Sequence, residues 1–218
     1  YLITKKVVSR SYYLNSCAVQ KVDQVKYLGV TFTATLDWTG HVELITAKAS
    51  RLIHFFQRNF SDAPQTLKET LYITNVRPIL EYACVSWDPF TNVLKEKLER
   101  VQKRAARFVT GNYDFRIRFS GILHAMGWEP LCGRRKVQRL KFLYNIYHGK
   151  TGLNKKRYLK TPSYMSKGKD HLYKIREYTC RLNVFKYSFF PNSVSDWNAL
   201  KIPIFSDSNF LTAIETAF

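Results

Sequence analysis

Lys97, Arg100, Arg104 and Arg107 recur every three or four residues, a spacing that on a helix sets four cations along one flank. Such a row suits phosphates strung along a nucleic-acid backbone, which it can hold without reading a base. Glu96 and Glu99 lie among them and could pair with Arg100 and Lys103, which would leave an ordinary solvated flank. Arg134, Arg135, Arg139 and Lys141 form a second cluster inside 130–169, where forty residues carry twelve Lys or Arg and no Asp or Glu. With no acid inside the stretch to neutralise them, these cations are expected to supply most of the non-specific affinity for a polyanion. A functionless basic loop is the competing reading. Tyr147 and Tyr158, set among the charges, suit stacking on bases or sugars as well as they suit a core.

The whole chain follows the same balance. Thirty-five Lys and Arg against sixteen Asp and Glu give 218 residues a formal charge of +19. A surplus that large repels itself unless a polyanion screens it, and an aromatic content of 15% separates the chain from disordered basic tails. The sixteen carboxylates are scattered without one adjacent pair, whereas polymerases and nucleases hold their metal ions with clustered acids. His41, His54, His124, His148 and His171 show no ligand spacing, and the four cysteines stand 48 or more residues apart, too far for a zinc pair. No glycine-rich phosphate loop or GxSxG elbow occurs. A basic binding module without catalytic residues or cofactor of its own is the expectation.

Reduced thiols point to an intracellular setting, cytoplasm or nucleus. No apolar run approaches the roughly 20 residues of a membrane span, and no signal peptide is visible, so no membrane partner is expected. The chain opens without Met inside a β-prone stretch, as a piece of a longer protein would.

Mainly helical elements must hold these residues. Residues 1–35 read as β structure, with Asn15-Ser16 as a turn. The stretch 25–33 reads as one strand, with Val25, Tyr27, Gly29, Thr31 and Thr33 on one face; Gly29 inside it implies a bulge or a close approach by another backbone or ligand. From Trp38 the period becomes helical: Val42, Ile45, Ala49, Leu52, Ile53 and Phe56 make a stripe. A second helix starts after Pro64, and Pro78 should kink or divide it. Leu94, Leu98, Val101, Ala105 and Phe108 mark a third, ended by Gly111. A short helix over 121–126 and a turn at 127–130 lead to a helix over 134–148. Residues 149–170 read as a mobile polar loop, 181–187 as a strand, and 193–200 and 210–218 as short helices. The expected class is α+β, mainly α: a β-hairpin segment over 1–37, a helical bundle over 38–111, a basic helical segment over 112–160 and a mixed region over 161–218.

Several phrases occur in an order that resembles the C-terminal part of non-LTR (LINE-type) retrotransposon reverse transcriptases of the jockey and chicken-repeat group. They are Val25-Lys26-Tyr27-Leu28-Gly29-Val30-Thr31-Phe32 followed by Leu36-Asp37-Trp38, then Val76-Arg77-Pro78-Ile79-Leu80-Glu81-Tyr82-Ala83. Leu98 to Arg107 follows, then Leu123-His124-Ala125-Met126-Gly127-Trp128-Glu129-Pro130, and finally Tyr187-Ser188-Phe189-Phe190-Pro191 with Asp196-Trp197-Asn198-Ala199-Leu200. The resemblance implies the end of a polymerase palm whose hairpin, at Tyr27, Leu28, Gly29 and Val30, acts as a primer grip, followed by a helical thumb over 38–111. It implies RNA and DNA, as primer–template, for partners, together with upstream polymerase domains of the same polyprotein. The catalytic YADD aspartates, and with them Mg²⁺, would lie in that upstream palm, so this piece is expected to be inactive by itself. A free-standing, domesticated RNA- or DNA-binding adaptor with no polymerase role is the alternative.

Overall fold

The computed structural model describes residues 11–114, 116–167, 170–200 and 210–216; the β structure expected at 1–10 lies outside them. The fold is α+β and mainly helical. Two antiparallel hairpins open it. Strands β1 (Tyr12–Leu14) and β2 (Cys17–Val19) pair with Leu14 opposite Cys17, and Asn15 and Ser16 turn between them with positive φ. Strands β3 (Gln24–Tyr27) and β4 (Val30–Thr33) pair with Tyr27 opposite Val30. The expected single strand over 25–33 therefore folds back on itself at Leu28 and Gly29, at φ of 45° and 83°. Positive φ at both central residues is the primed turn whose twist matches paired strands.

Helix α1 (Thr39–Asn59) buries Val42, Ile45, Ala49, Ile53 and Phe56. It packs along α5 (Asn92–Thr110), which buries Leu94, Leu98, Val101, Ala105 and Phe108 as its spacing requires and ends at Gly111 with φ 65°. Between them runs a broken helix. Segment α2 (Gln65–Leu71) passes through a π-helical turn at Tyr72–Val76 into α3 (Arg77–Glu81), where Pro78 sits in the first turn. Proline has no N–H to give the ladder, and a widened turn just before it absorbs the defect. Ala83, at φ 51°, then redirects the chain into α4 (Cys84–Trp87). Helix α6 (Phe119–Ala125) and the turn at Gly127 bring Trp128 onto Tyr72, rings stacked at 4.4 Å, with its indole N–H donating to Glu69 at 2.8 Å.

Helix α7 (Leu131–Tyr147) starts three residues before its expected position. The Glu99 carboxylate accepts from the backbone N–H groups of Leu131 and Cys132, at 3.3 and 2.8 Å, an anion placed against the positive end of the helix. One end of α7 joins the bundle core through Leu131; Leu140, Leu143 and Ile146 belong to a second core. That core also takes Leu159, Ile175, Val194, Trp197, Leu200, Phe210 and Ile214. Its other elements are α8 (Lys155–Tyr158), α9 (Asn183–Lys186), α10 (Phe189–Asn198) and α11 (Phe210–Thr216). Residues 183–186, expected to be extended, are helical. The polar stretch after 149 is anchored by Leu159 and by Tyr158, whose ring stacks on Phe190 at 4.5 Å.

Candidate nucleic-acid interface

The turn at Tyr27, Leu28, Gly29 and Val30 is exposed at its tip and braced at its base. Tyr27 and Leu28 are 65% and 72% exposed, whereas Val30 is buried. The Tyr82 hydroxyl donates to the Leu28 carbonyl at 3.1 Å, and a Cβ on Gly29 would lie 3.4 Å from the Tyr82 ring. So the close approach expected at Gly29 is that of a tyrosine ring. One step further, the Thr31 N–H donates to Nδ1 of His41, and His41 packs edge-on against Trp87 at 5.0 Å. Burial holds the His41 imidazole below its ordinary pKa. Left-handed backbone costs a leucine about 1–2 kcal/mol, and such strain persists where neighbours impose it. Here Tyr82 and His41 do so, at a position that presents an apolar side chain to solvent.

The same end of α1 begins a groove. Thr46, Ser50, His54 and Gln57 of α1 face Lys97, Arg100, Arg104 and Arg107 of α5 across two adjoining depressions, with Lys103 and Tyr113 at the far end. All four cations expected along this helix thus line one channel, backed by the apolar α1–α5 contact. Lys97 meets Glu43 at 2.6 Å, and Arg100 meets Glu96 at 3.6 Å with both side chains about two-thirds exposed or more. Solvated pairs of that kind are worth about 0–1 kcal/mol and yield readily to a phosphate. Glu99 is drawn away to α7, so it does not offset the row. Arg104 is exposed and has no carboxylate partner among the described residues.

The cations of α7 are placed otherwise, which corrects the expectation of a phosphate surface there. Arg135 is fully buried, its Nε donating to Asp88 at 2.8 Å. Arg139, 7% exposed, lies 3.1 Å from Asp88 and donates to Asp196 at 3.0 Å. Lys136 also reaches Asp196, at 3.1 Å. Arg134 is bound by both oxygens of Glu81, and Lys141 by Glu215. The 130–169 stretch holds no acid, but acids from α3, the residue after α4, α10 and α11 come to it. Burying an unpaired guanidinium costs several kcal/mol, and pairing with these carboxylates offsets part of that cost. Tyr147 and Tyr158, which suited bases or a core alike, pack against the second core: Tyr147 stacks on Trp197 at 5.6 Å, and the Lys155 ammonium lies over its ring, 3.5 Å from the ring centre.

Sequence reasoning missed Tyr82, His41 and Asp88. Asp88 and Arg135 are 47 residues apart, and no local pattern joins them. Buried Cys84 donates to Gln138 at 2.9 Å, and burial pushes its thiol up to about 12, which makes it an inert packing residue. No helix among the described residues is long and apolar enough to cross a membrane. In comparisons with known proteins, no family model matches the chain, and no curated protein or solved structure matches it either.

Proposed function

We propose that the chain is the thumb and downstream part of a non-LTR retrotransposon reverse transcriptase, gripping primer–template through backbone phosphates. The observation that carries it is the α1–α5 groove, in which Lys97, Arg100, Arg104 and Arg107 line one channel, while the β3–β4 hairpin with its braced Leu28–Gly29 turn is tied to the first turn of α1 through His41. A row of cations one helical turn apart follows a phosphate backbone and discriminates no sequence, as a moving polymerase requires. Leu28, apolar and held rigidly at the turn tip, suits van der Waals contact with a terminal sugar. Upstream polymerase domains of the same polyprotein would supply the clustered carboxylates and Mg²⁺ of the chemical step; nothing in this chain is assigned to that step.

Photocrosslinking tests it. A primer–template with a photoreactive group at the primer 3′ end should label Tyr27 or Leu28, and groups on internal template phosphates should label α5. Labelling confined to α8–α11 would contradict the assignment.

A further inference from the structure

The acid-free stretch continues past α7, and there several of its cations stay at the surface. Two segments, 157–160 and 175–179, are joined there: the Arg176 N–H donates to the Lys160 carbonyl at 2.9 Å, and the Tyr178 hydroxyl donates to the Tyr158 carbonyl. Both are fastened from below. Leu159 and Ile175 are buried in the second core. Asn198 of α10 accepts from the Ile175 N–H at 3.0 Å and donates to the Ile175 carbonyl at 2.8 Å. Tyr158 stacks on Phe190, and Tyr178 packs edge-on against Phe185. With those residues turned inward, Arg157, Lys160 and Arg176 stand exposed around one depression of about 350 Å³, which Tyr158 and Tyr178 also line. Glu177 is the one acid lining it, and none of these four charged side chains makes an ion pair among the described residues.

Three cations against one carboxylate leave the depression positive, so it suits an anion. Arg157 and Arg176 each offer a fork of N–H donors that matches two phosphate oxygens. Lys156 and Arg181, exposed just outside the lining segments in the chain, carry the charge beyond the size of one phosphate, which fits a strand of phosphates better than a single phosphorylated side chain. A duplex is stiff and convex and needs an open channel such as the α1–α5 groove, whereas a flexible strand can bend a phosphate inward and turn its base away. We infer that this depression seats backbone phosphates of single-stranded nucleic acid. The site belongs to the second core, apart from the α1–α5 groove. It rests on the chain's being a nucleic-acid binder, and it adds a hold on an unpaired strand to the grip on the duplex.

The test titrates the full chain with an end-labelled oligothymidylate and with a blunt duplex, each at several salt concentrations. Changing Arg157, Lys160 and Arg176 together to Gln should flatten the single-strand slope of log affinity on log salt by about 2, at roughly 0.7 per phosphate contact, and leave the duplex slope as it is. Glu177→Gln, which removes the one repelling charge, should tighten single-strand binding. All four side chains are exposed, so the variants should keep the parent's unfolding midpoint. An unaltered single-strand slope in the triple variant overturns the assignment. So does an equal flattening of the duplex slope, since the effect would then be one of overall charge. Inorganic tripolyphosphate or a phosphotyrosine peptide that displaces the strand at equal phosphate concentration also overturns it, because the depression would then take a free polyphosphate or a phosphoprotein. Failure of the groove reading is separate: it would show as a duplex slope insensitive to Arg100→Gln and Arg104→Gln while the single-strand effect persists.

Discussion

Two guanidiniums share one carboxylate at Asp88, and that carboxylate is 12% exposed. Asp88→Asn leaves Arg135 fully buried without the only carboxylate that pairs with it among the described residues, and stability should fall by about 3–5 kcal/mol. Glu43→Gln removes an exposed pair with Lys97 and should cost less than about 1 kcal/mol. Urea unfolding of the two variants checks both figures; comparable losses would mean that Asp88 is no more than a surface anion. His41 gives a pH dependence. Burial lowers its pKa below 6.5, so the folded state holds the ring neutral. Above that value neither state is protonated and nothing changes. As pH falls through 6.5 toward the depressed folded value, only the unfolded chain takes the proton, and stability declines. His148 and His171 are shifted the same way by burial and add to the decline. Between about pH 7 and 5, His41→Gln should therefore show a shallower loss of unfolding midpoint than the parent chain.

Helix α5 is the element whose sequence and structure agree most closely. Its apolar residues recur at steps of four and three, so they share one face whatever the rest of the fold does, and the cations fall beside them. Leu98 is fully buried; Leu98→Ala should cost about 2–5 kcal/mol, and Lys97→Ala less than about 1 kcal/mol, read from thermal unfolding. Equal shifts would mean the helix face is wrongly assigned. The β3–β4 turn, where the resemblance implies a hairpin, was hidden from the local pattern because Leu28-Gly29 lacks the Asn-Gly signature of such hairpins; Leu28→Asn should restore it and stabilise the hairpin by up to about 1–2 kcal/mol, seen as slower amide exchange in β3 and β4. Helix α7 was legible as a helix but not in its orientation. Both its sides are covered, one by the bundle and one by α10 and α11, so no single polar face marks its exterior. Arginines on it read as surface because their carboxylates arrive from elements tens of residues away. The segment 181–187 read as a strand, but with no strand beside it among the described residues, 183–186 closes into a single helical turn.

At the scale of the molecule, a net charge of +19 is divided between cations spent inside and cations left outside. The α7 set is consumed in joining the two cores. The α5 set remains at the surface along a groove, and nucleic-acid binding through that groove is the central claim. Titration of unrelated duplexes over a range of salt concentrations tests it most directly. With about 0.9 counterions released per phosphate neutralised, four groove cations predict a slope of log affinity on log salt of roughly −3 to −4. Changing Arg100, Arg104 and Arg107 together to Gln should flatten it by about 2–3 and weaken every sequence alike. A parent slope near zero, or the same slope in the triple variant, would contradict the account.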